Sequence, residues 1–348
     1  IMDGVSINLL FNQISKNYVS LIDNDEQRYE YFNFSIWEQS EDAKTFYKSK
    51  VIYWQSHLAG YEGNSLPRFT KQLSQSMAGS YRYEFNKETT KNLKALAIKQ
   101  GVTSNVIYLS ALYLLLMKYT RGTDLIIGIP FANRFLEELK ESIGMYVNTV
   151  PLRINMKGVT TLSLLNDVQR RLNEAQMHVQ VPFDVVYETL SEDLKQFNFF
   201  EIIFNYMEDE GQASLAFDGV KLSSEYTTAG AIFSPLNIAI RAKDKTTEIN
   251  IDYDRSYFDE ASIQRFCQHY EQAMRQLQGE DCAVSAISLL SDEEKTLLLE
   301  KWNATEVSYP EETLPARLWT SFERYAKLPA VISDIACLSY ETLGDMSK

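Results

Sequence analysis

Apolar residues recur at helical spacing at the start of the chain, at Leu9, Leu10, Ile14 and Leu21, and predict a helix over 5–22 with Ser6 as its N-cap. An aromatic run, YEYFNFSIWEQ at 29–39, leads into a second helical stretch that holds Trp37 and Trp54 and closes around Gly60; residues 64–79 read as a linker. From Ser80 the pattern sharpens. SYRYEF alternates as a strand, Asn86 caps a helix that stops at Gly101, Thr103 caps a helix that is apolar all round, and GTD turns the chain into the strand DLIIGIPFA. MYVNTVPLRI is a further strand in which Pro151 marks an edge or a bulge. Residues 162–178 are amphipathic at helical period, and VPFDVVYETL opens another helix with Pro182 near its first turn. Four strand candidates follow, at 199–207, 215–226, 233–242 and 246–254, before a helix over 259–277. Helices alternating with strands imply an α/β fold of the two-layer α+β kind.

Past Gly279 the pattern changes. LLSDEEKTLLLEKWN is a short helix with a capping box from Ser291 to Glu294, a polar Pro-bearing stretch follows, and a domain boundary is expected near Asn303. The remaining residues, with helical LPARLWTSFERYAK and strand-like CLSYETL, are too few to bury a core of their own.

Composition narrows the class. The chain has 348 residues, 45% hydrophobic and 23% charged, which fits about two globular domains and excludes whole-chain disorder. A net charge of −13 leaves no basic field for a phosphate backbone, so nucleic acid is excluded as a partner. Three cysteines and three histidines form neither a disulfide framework nor a metal-ligand spacing, which points to a reducing, cytoplasmic setting without metal. The longest apolar stretch, 106–119, is shorter than the ~20 residues that cross a bilayer, so no membrane is expected. The chain begins at Ile1 with no leader pattern, and we expect a fragment of a longer protein.

Few residues carry obvious chemistry. Asp3-Gly4 is a carboxylate at a turn, where it orients a neighbour or simply makes the turn. Arg134, in GIPFANR at the end of a strand, pairs with a buried acid or lies on the surface. Asn148 and Thr149 interrupt an apolar strand, so they line a site or make structural hydrogen bonds. His57, His178 and His269 fall in separate helices without a triad pattern and read as structural or exposed, and Cys267 reads as packing. No glycine-rich phosphate loop occurs.

In order and at their separations, these pieces resemble the condensation domain of nonribosomal peptide synthetases. IMDG resembles the tail of the HHxxxDG signature, YFNFSIW the YxDFAxW element with Asn33 in place of the acid, ESIGMYVNTVPLR the VGxFVNTxxxR element, and VQVPFDVVYETL the QDVPFExLVE element. The stretch 289–310 resembles the linker after such domains, and LSYETL the first core motif, LTYxEL, of adenylation domains. Epimerization domains share the DG signature, but the adenylation-like tail favours condensation.

The resemblance implies a chloramphenicol-acetyltransferase-like fold of two lobes: 1–65 the end of the first lobe, 66–285 the complete second lobe, 286–310 the linker and 311–348 the start of an adenylation domain. Both signature histidines fall ahead of Ile1 in this alignment, so the chain as given is expected to be inactive. Asp3, Gly4 and Arg134 are then the structural support of the catalytic histidine, with Arg134 the partner of Asp3. Trp37, Tyr146, Asn148, Thr149 and Arg153 are assigned to a substrate tunnel. The implied reaction joins two thioesters on the phosphopantetheine arms of upstream and downstream carrier proteins, with no cofactor bound directly and ATP used only by the adjoining adenylation domain. MYVNTVPLR looks more like domains that accept L-configured donors. A missing lobe implies an exposed apolar face and hence aggregation or dependence on a partner. Two other classes share these motifs: a non-catalytic carrier-docking module, and an acyltransferase of the same fold that uses free coenzyme A.

Overall fold

The computed structural model describes residues 2–19, 31–63, 65–69, 77–208, 232–243, 246–309 and 311–348, in two units, Ile1–Ser291 and Asp292–Lys348. In the first, helices α1 (Gly4–Val19), α2 (Tyr31–Glu38) and α3 (Glu41–Leu58) precede β1 (Ala78–Glu84). Then come α4 (Lys87–Gln100), α5 (Ser104–Thr120), β2 (Asp124–Phe131), β3 (Asn148–Asn155), α6 (Thr161–His178), α7 (Phe183–Glu188) and α8 (Glu192–Lys195). β4 (Ile202–Glu208), β5 (Leu236–Ala242), β6 (Thr247–Asp254) and α9 (Glu260–Leu277) complete it. The second unit holds α10 (Asp292–Thr296), α11 (Leu314–Arg324), the hairpin β7 (Pro329–Ile332) and β8 (Cys337–Ser339), and α12 (Tyr340–Met346).

Six strands of the first unit form one mixed sheet in the order β1-β6-β5-β4-β2-β3, parallel at β2/β4 and β4/β5 and antiparallel elsewhere. Its core is organised on α5, where every residue from Val106 to Met117 is buried. A helix apolar on all faces must be enclosed, and α5 packs against α4, α6, α9 and β2. Caps set the boundaries. Asn86 accepts the Glu88 N–H at 2.8 Å, Gly101 ends α4 in the left-handed region at φ +65°, and Thr103 caps α5. Gly128 in β2 is needed for close approach: a Cβ there would lie 2.8 Å from the Phe200 ring.

Several expectations are corrected by packing. Ser6 is not the cap of α1; Asp3 is, because its Oδ1 accepts the Ser6 backbone N–H at 2.8 Å. The stretch holding Trp37 and Trp54 is two helices, divided where the Ser40 hydroxyl accepts the Ala43 N–H and starts α3. Pro151 marks an edge without a bulge, since β3 pairs in unbroken register with β2. Part of the expected linker is anchored: Leu66 is buried with its N–H on Glu201 at 3.1 Å, and the Phe69 N–H reaches the Tyr257 carbonyl at 2.7 Å. Packing does not break at residue 65 either, because Tyr47, Val51, Trp54 and Leu58 of α3 share one core with the sheet. Along the chain the division between the two units falls after Ser291 rather than near Asn303. The strand candidate at 215–226 lies outside the described residues.

Candidate functional site

The entry to α1 and the loop after β2 meet in one buried network. Asn133 takes φ +50°, a conformation asparagine tolerates, and turns the chain out of β2 so that Arg134 reaches Asp3. Arg134 Nη2 donates to Asp3 Oδ1 at 3.0 Å and Oδ2 at 3.2 Å, and to Ser6 Oγ at 2.8 Å. Its Nη1 donates to the carbonyls of Leu139 and, at 2.6 Å, Ser142. The two side chains are 6% and 1% exposed, so this is a buried ion pair with its lone pairs and protons largely satisfied. The Tyr146 N–H donates to Asp3 Oδ2 at 3.1 Å, and the Tyr146 ring lies under the guanidinium at 4.4 Å. Burial pushes the Asp3 carboxyl up, but hydrogen bonds from Ser6, Tyr146 and Arg134 outweigh it and hold the carboxyl below its ordinary range. Asp3 is therefore held ionised and fixed in orientation.

Three members of this network were not expected in it: Ser6, read from the sequence as a helix cap, and Ser142 and Gly144, which entered only as part of the ESIGMYVNTVPLR element. Ser6 Oγ donates to Asp3 Oδ1 at 2.8 Å and lies 2.7 Å from the Gly144 carbonyl, and the Asp3 N–H donates to that same carbonyl at 3.1 Å. Gly144 has no room for a side chain, since a Cβ would stand 2.4 Å from the Tyr31 ring. The spacing Asp-x-x-Ser was the available signal for Ser6, and the Gly of the VGxFVNTxxxR element the one for Gly144. Gly4 is the first residue of α1, and a Cβ there would meet open space.

The tunnel assignments divide. Trp37 is half-buried among Phe34, Phe46, Tyr47 and Phe135, with ring centroids 5.7 to 6.0 Å away. Tyr146 is 2% exposed and its hydroxyl pairs with Ser142 Oγ at 2.7 Å. The Asn148 amide donates to the carbonyls of Val179 and Val181 at 2.7 and 2.6 Å, which fixes the turn into α7. Thr149 is half-buried and pairs with Pro130 across β2/β3. Arg153 lies toward the other end of β3. Its Nε and Nη2 hold Asp124, Nη1 holds the carbonyls of His57 and Ala59, and Nη2 also holds Gly60. A guanidinium has five N–H donors, and all are engaged. Arg153 is thus a strut on the C-terminal carbonyls of α3 with no donor left for a substrate, although it lines a cleft of about 280 Å³ with Tyr53, Ser56, His57, Asn155 and Arg171.

All three histidines have structural surroundings. His57 Nε2 accepts the Arg153 backbone N–H at 3.0 Å, His178 stacks on Tyr53 at 4.1 Å, and His269 Nδ1 pairs with the Tyr119 hydroxyl at 2.9 Å. Among the described residues no cluster of His, Cys, Asp and Glu could hold a metal ion.

Comparison with known proteins decides the family. The profile of the condensation domain matches residues 1–299. The chain belongs to the condensation-domain family. Tyrocidine synthase 3 of Brevibacillus parabrevis is 27% identical over 358 aligned residues, covering 100% of this chain and 6% of that protein. Surfactin synthase subunit 1 of Bacillus subtilis (strain 168) is 28% identical over 352, covering 98% and 10%. The chain thus spans a small part of the curated relatives it matches. Among solved structures, a four-domain nonribosomal peptide synthetase bound to AMP and glycine superposes with a TM-score of 0.77 at 18% identity, covering 99% of this chain and 28% of the other. The X-domain from teicoplanin biosynthesis gives 0.69 at 22%, covering 83% and 70%. The condensation-domain fold is therefore shared, as the resemblance of the motif series implied.

Proposed function

We propose that this condensation domain forms an amide bond within a longer nonribosomal peptide synthetase. The amine of a downstream aminoacyl thioester attacks the carbonyl of an upstream aminoacyl or peptidyl thioester, a C–N bond forms, and the upstream thiol leaves with the proton. Both acyl groups ride on phosphopantetheine arms of carrier proteins, so the domain holds two tethered partners in register and excludes water, since hydrolysis competes. No covalent enzyme intermediate is required. The observation that carries this reading is the buried pair of Asp3 and Arg134, at 3.0 Å, in the DG element of a chain matched over 1–299 by the family profile. In the resemblance, that element directly follows the histidine that handles the amine proton. Asp3, Gly4 and Arg134 then fix the loop that presents it.

Residues 311–348 are proposed as the opening of an adenylation domain that uses ATP, after a linker at 286–310. Support comes from coverage: the four-domain synthetase covers 99% of this chain, whereas the first condensation domain of the CDA synthetase covers 84%. The first lobe is assigned the start of the chain, and α3 is assigned to the second, because it shares the core of the sheet. A cytoplasmic setting suits three free cysteines, of which Cys337 is exposed.

The test loads the upstream and downstream carriers of the intact synthetase with their acyl groups and follows the downstream arm by mass spectrometry. The expected product is the combined acyl chain on that arm. Release of free acid alone, or transfer only from free acyl-coenzyme A, contradicts the proposal.

A further inference from the structure

A cleft of about 280 Å³ lies where three elements meet, close to the ~300 Å³ at which small-molecule pockets begin. Tyr53, Ser56 and His57 of α3, Arg153 and Asn155 at the end of β3, and Arg171 of α6 line it, and α6 packs against both of the other elements. In a chain of net charge −13, this wall carries two guanidinium groups and no carboxylate among the described residues. Their acid partners stand outside it: Asp124 holds Arg153 at 2.7 Å and Glu174 holds Arg171 at 3.0 Å, but neither acid lines the cleft. The two guanidiniums differ in what they have left to offer. Every Arg153 donor is engaged, so that group contributes charge alone. Arg171 gives Nη1 to Glu174 and keeps further N–H groups for a ligand, since a guanidinium has five. Ser56 and Asn155 are exposed, and among the described residues neither the Ser56 hydroxyl nor the Asn155 side-chain amide donates a hydrogen bond. Asn155 Oδ1 accepts the Lys157 N–H at 3.0 Å, which fixes the amide and leaves its donors over. His57 and Tyr53, stacked at 5.5 Å with their rings 10° apart, form an aromatic wall. Burial, then the cations of Arg171 and Arg153, hold that imidazole neutral with its pKa at about 4, so the cleft carries a positive field that no lining group answers.

We propose that this cleft binds a phosphate dianion, either as the free ion or as the head of a small phosphate monoester. Donors reach it from three elements, Ser56 on α3, Asn155 on β3 and Arg171 on α6. A tetrahedral group presents oxygens in as many directions, whereas a carboxylate presents two in one plane. The Arg153 charge adds attraction without a directed bond. A cation is disfavoured by the same two guanidiniums. The cleft uses none of the groups around Asp3, so its test does not depend on amide formation.

The 348-residue chain has three histidines, so labelling their Cε1 atoms with carbon-13 gives a readout inside the cleft, at His57, and one outside it, at His269. The signals are assigned with His178→Phe and His269→Phe. Sodium phosphate and glycerol 3-phosphate are titrated separately at constant ionic strength and about pH 8, where a phosphate ester is a dianion (second pKa ~6) and His57 is neutral. A saturable shift of the His57 signal is expected with His269 unmoved. Tighter binding of glycerol 3-phosphate assigns the cleft to an ester and tighter binding of phosphate to the free ion, and either order supports the proposal. Affinity should fall at least about tenfold in Arg171→Gln, the loss of a charge-assisted hydrogen bond. It should vanish in Ser56→Asp, which sets a like charge in the cleft at an exposed helical position. These changes lie on different helices, and the His269 signal reports whether each variant is folded, so one that misfolds leaves the other informative. No saturable shift, an equal shift with sodium chloride alone, acetate binding as tightly as phosphate, or undiminished binding in a folded Arg171→Gln or Ser56→Asp overturns the proposal.

Discussion

His57 is 7% exposed, and its Nε2 accepts the Arg153 backbone N–H on the outer edge of β3, so the imidazole stands in for part of a missing neighbour strand. It does so only when neutral. Burial first, then the cations of Arg171 and Arg153, push its pKa down to about 4, while Glu174 and the Pro151 carbonyl oppose them. The unfolded chain binds this proton near pH 6.5, so the stabilisation is complete above that value and is lost as pH falls toward 4, by about 3 kcal/mol in all. Denaturant unfolding from pH 7 to 4 should show that slope, and His57→Phe should flatten it. Arg153→Lys should cost about 2 kcal/mol, because an ammonium cannot reproduce the fork that holds Asp124 and three carbonyls. Sequence places both residues in the right kind of element. It cannot show that they meet, because the bond joins positions 96 residues apart.

Helices with a local signature were legible: Asn86, Thr103 and Gly101 bound α4 and α5 as their residue types foretold. The division of α2 from α3 was not, because apolar spacing runs on through Trp37 and only the Ser40 cap interrupts it. Likewise, the anchoring of 65–69 depends on Glu201 and Tyr257, far away in the chain. Leu112 is fully buried in α5, and Leu112→Ala should cost about 2–5 kcal/mol by urea unfolding, the range for an enclosed leucine. A loss below about 1 kcal/mol would show that α5 is not the enclosed centre described above.

The molecule as described carries more than one role at its two ends. Around Asp3 the chain is fastened by a network drawn from α1, the loop after β2 and residues 142–146, whereas Arg153 fastens α3 at the opposite end of β3. The DG element brought with it the expectation of a distant arginine partner for Asp3, and Arg134 pairs with it at 3.0 Å. The motif series grouped Arg153 with a tunnel, since a motif does not record where a side chain's donors go. Among the described residues no single helix is long and apolar enough to cross a membrane. In the function proposed above, Asp3 and Arg134 position the amide-forming loop without carrying its proton. Asp3→Asn keeps the shape of the side chain and leaves the Arg134 charge uncompensated, at about 3–5 kcal/mol. The most direct measurement is single-turnover amide formation by the intact synthetase bearing Asp3→Asn, with amino-acid activation followed in the same sample and the pH profile recorded. The account expects transfer to fall at least about a hundredfold, with activation unchanged and the profile of the residual transfer keeping its wild-type midpoint. Wild-type transfer, or a midpoint that moves with the substitution, would contradict it.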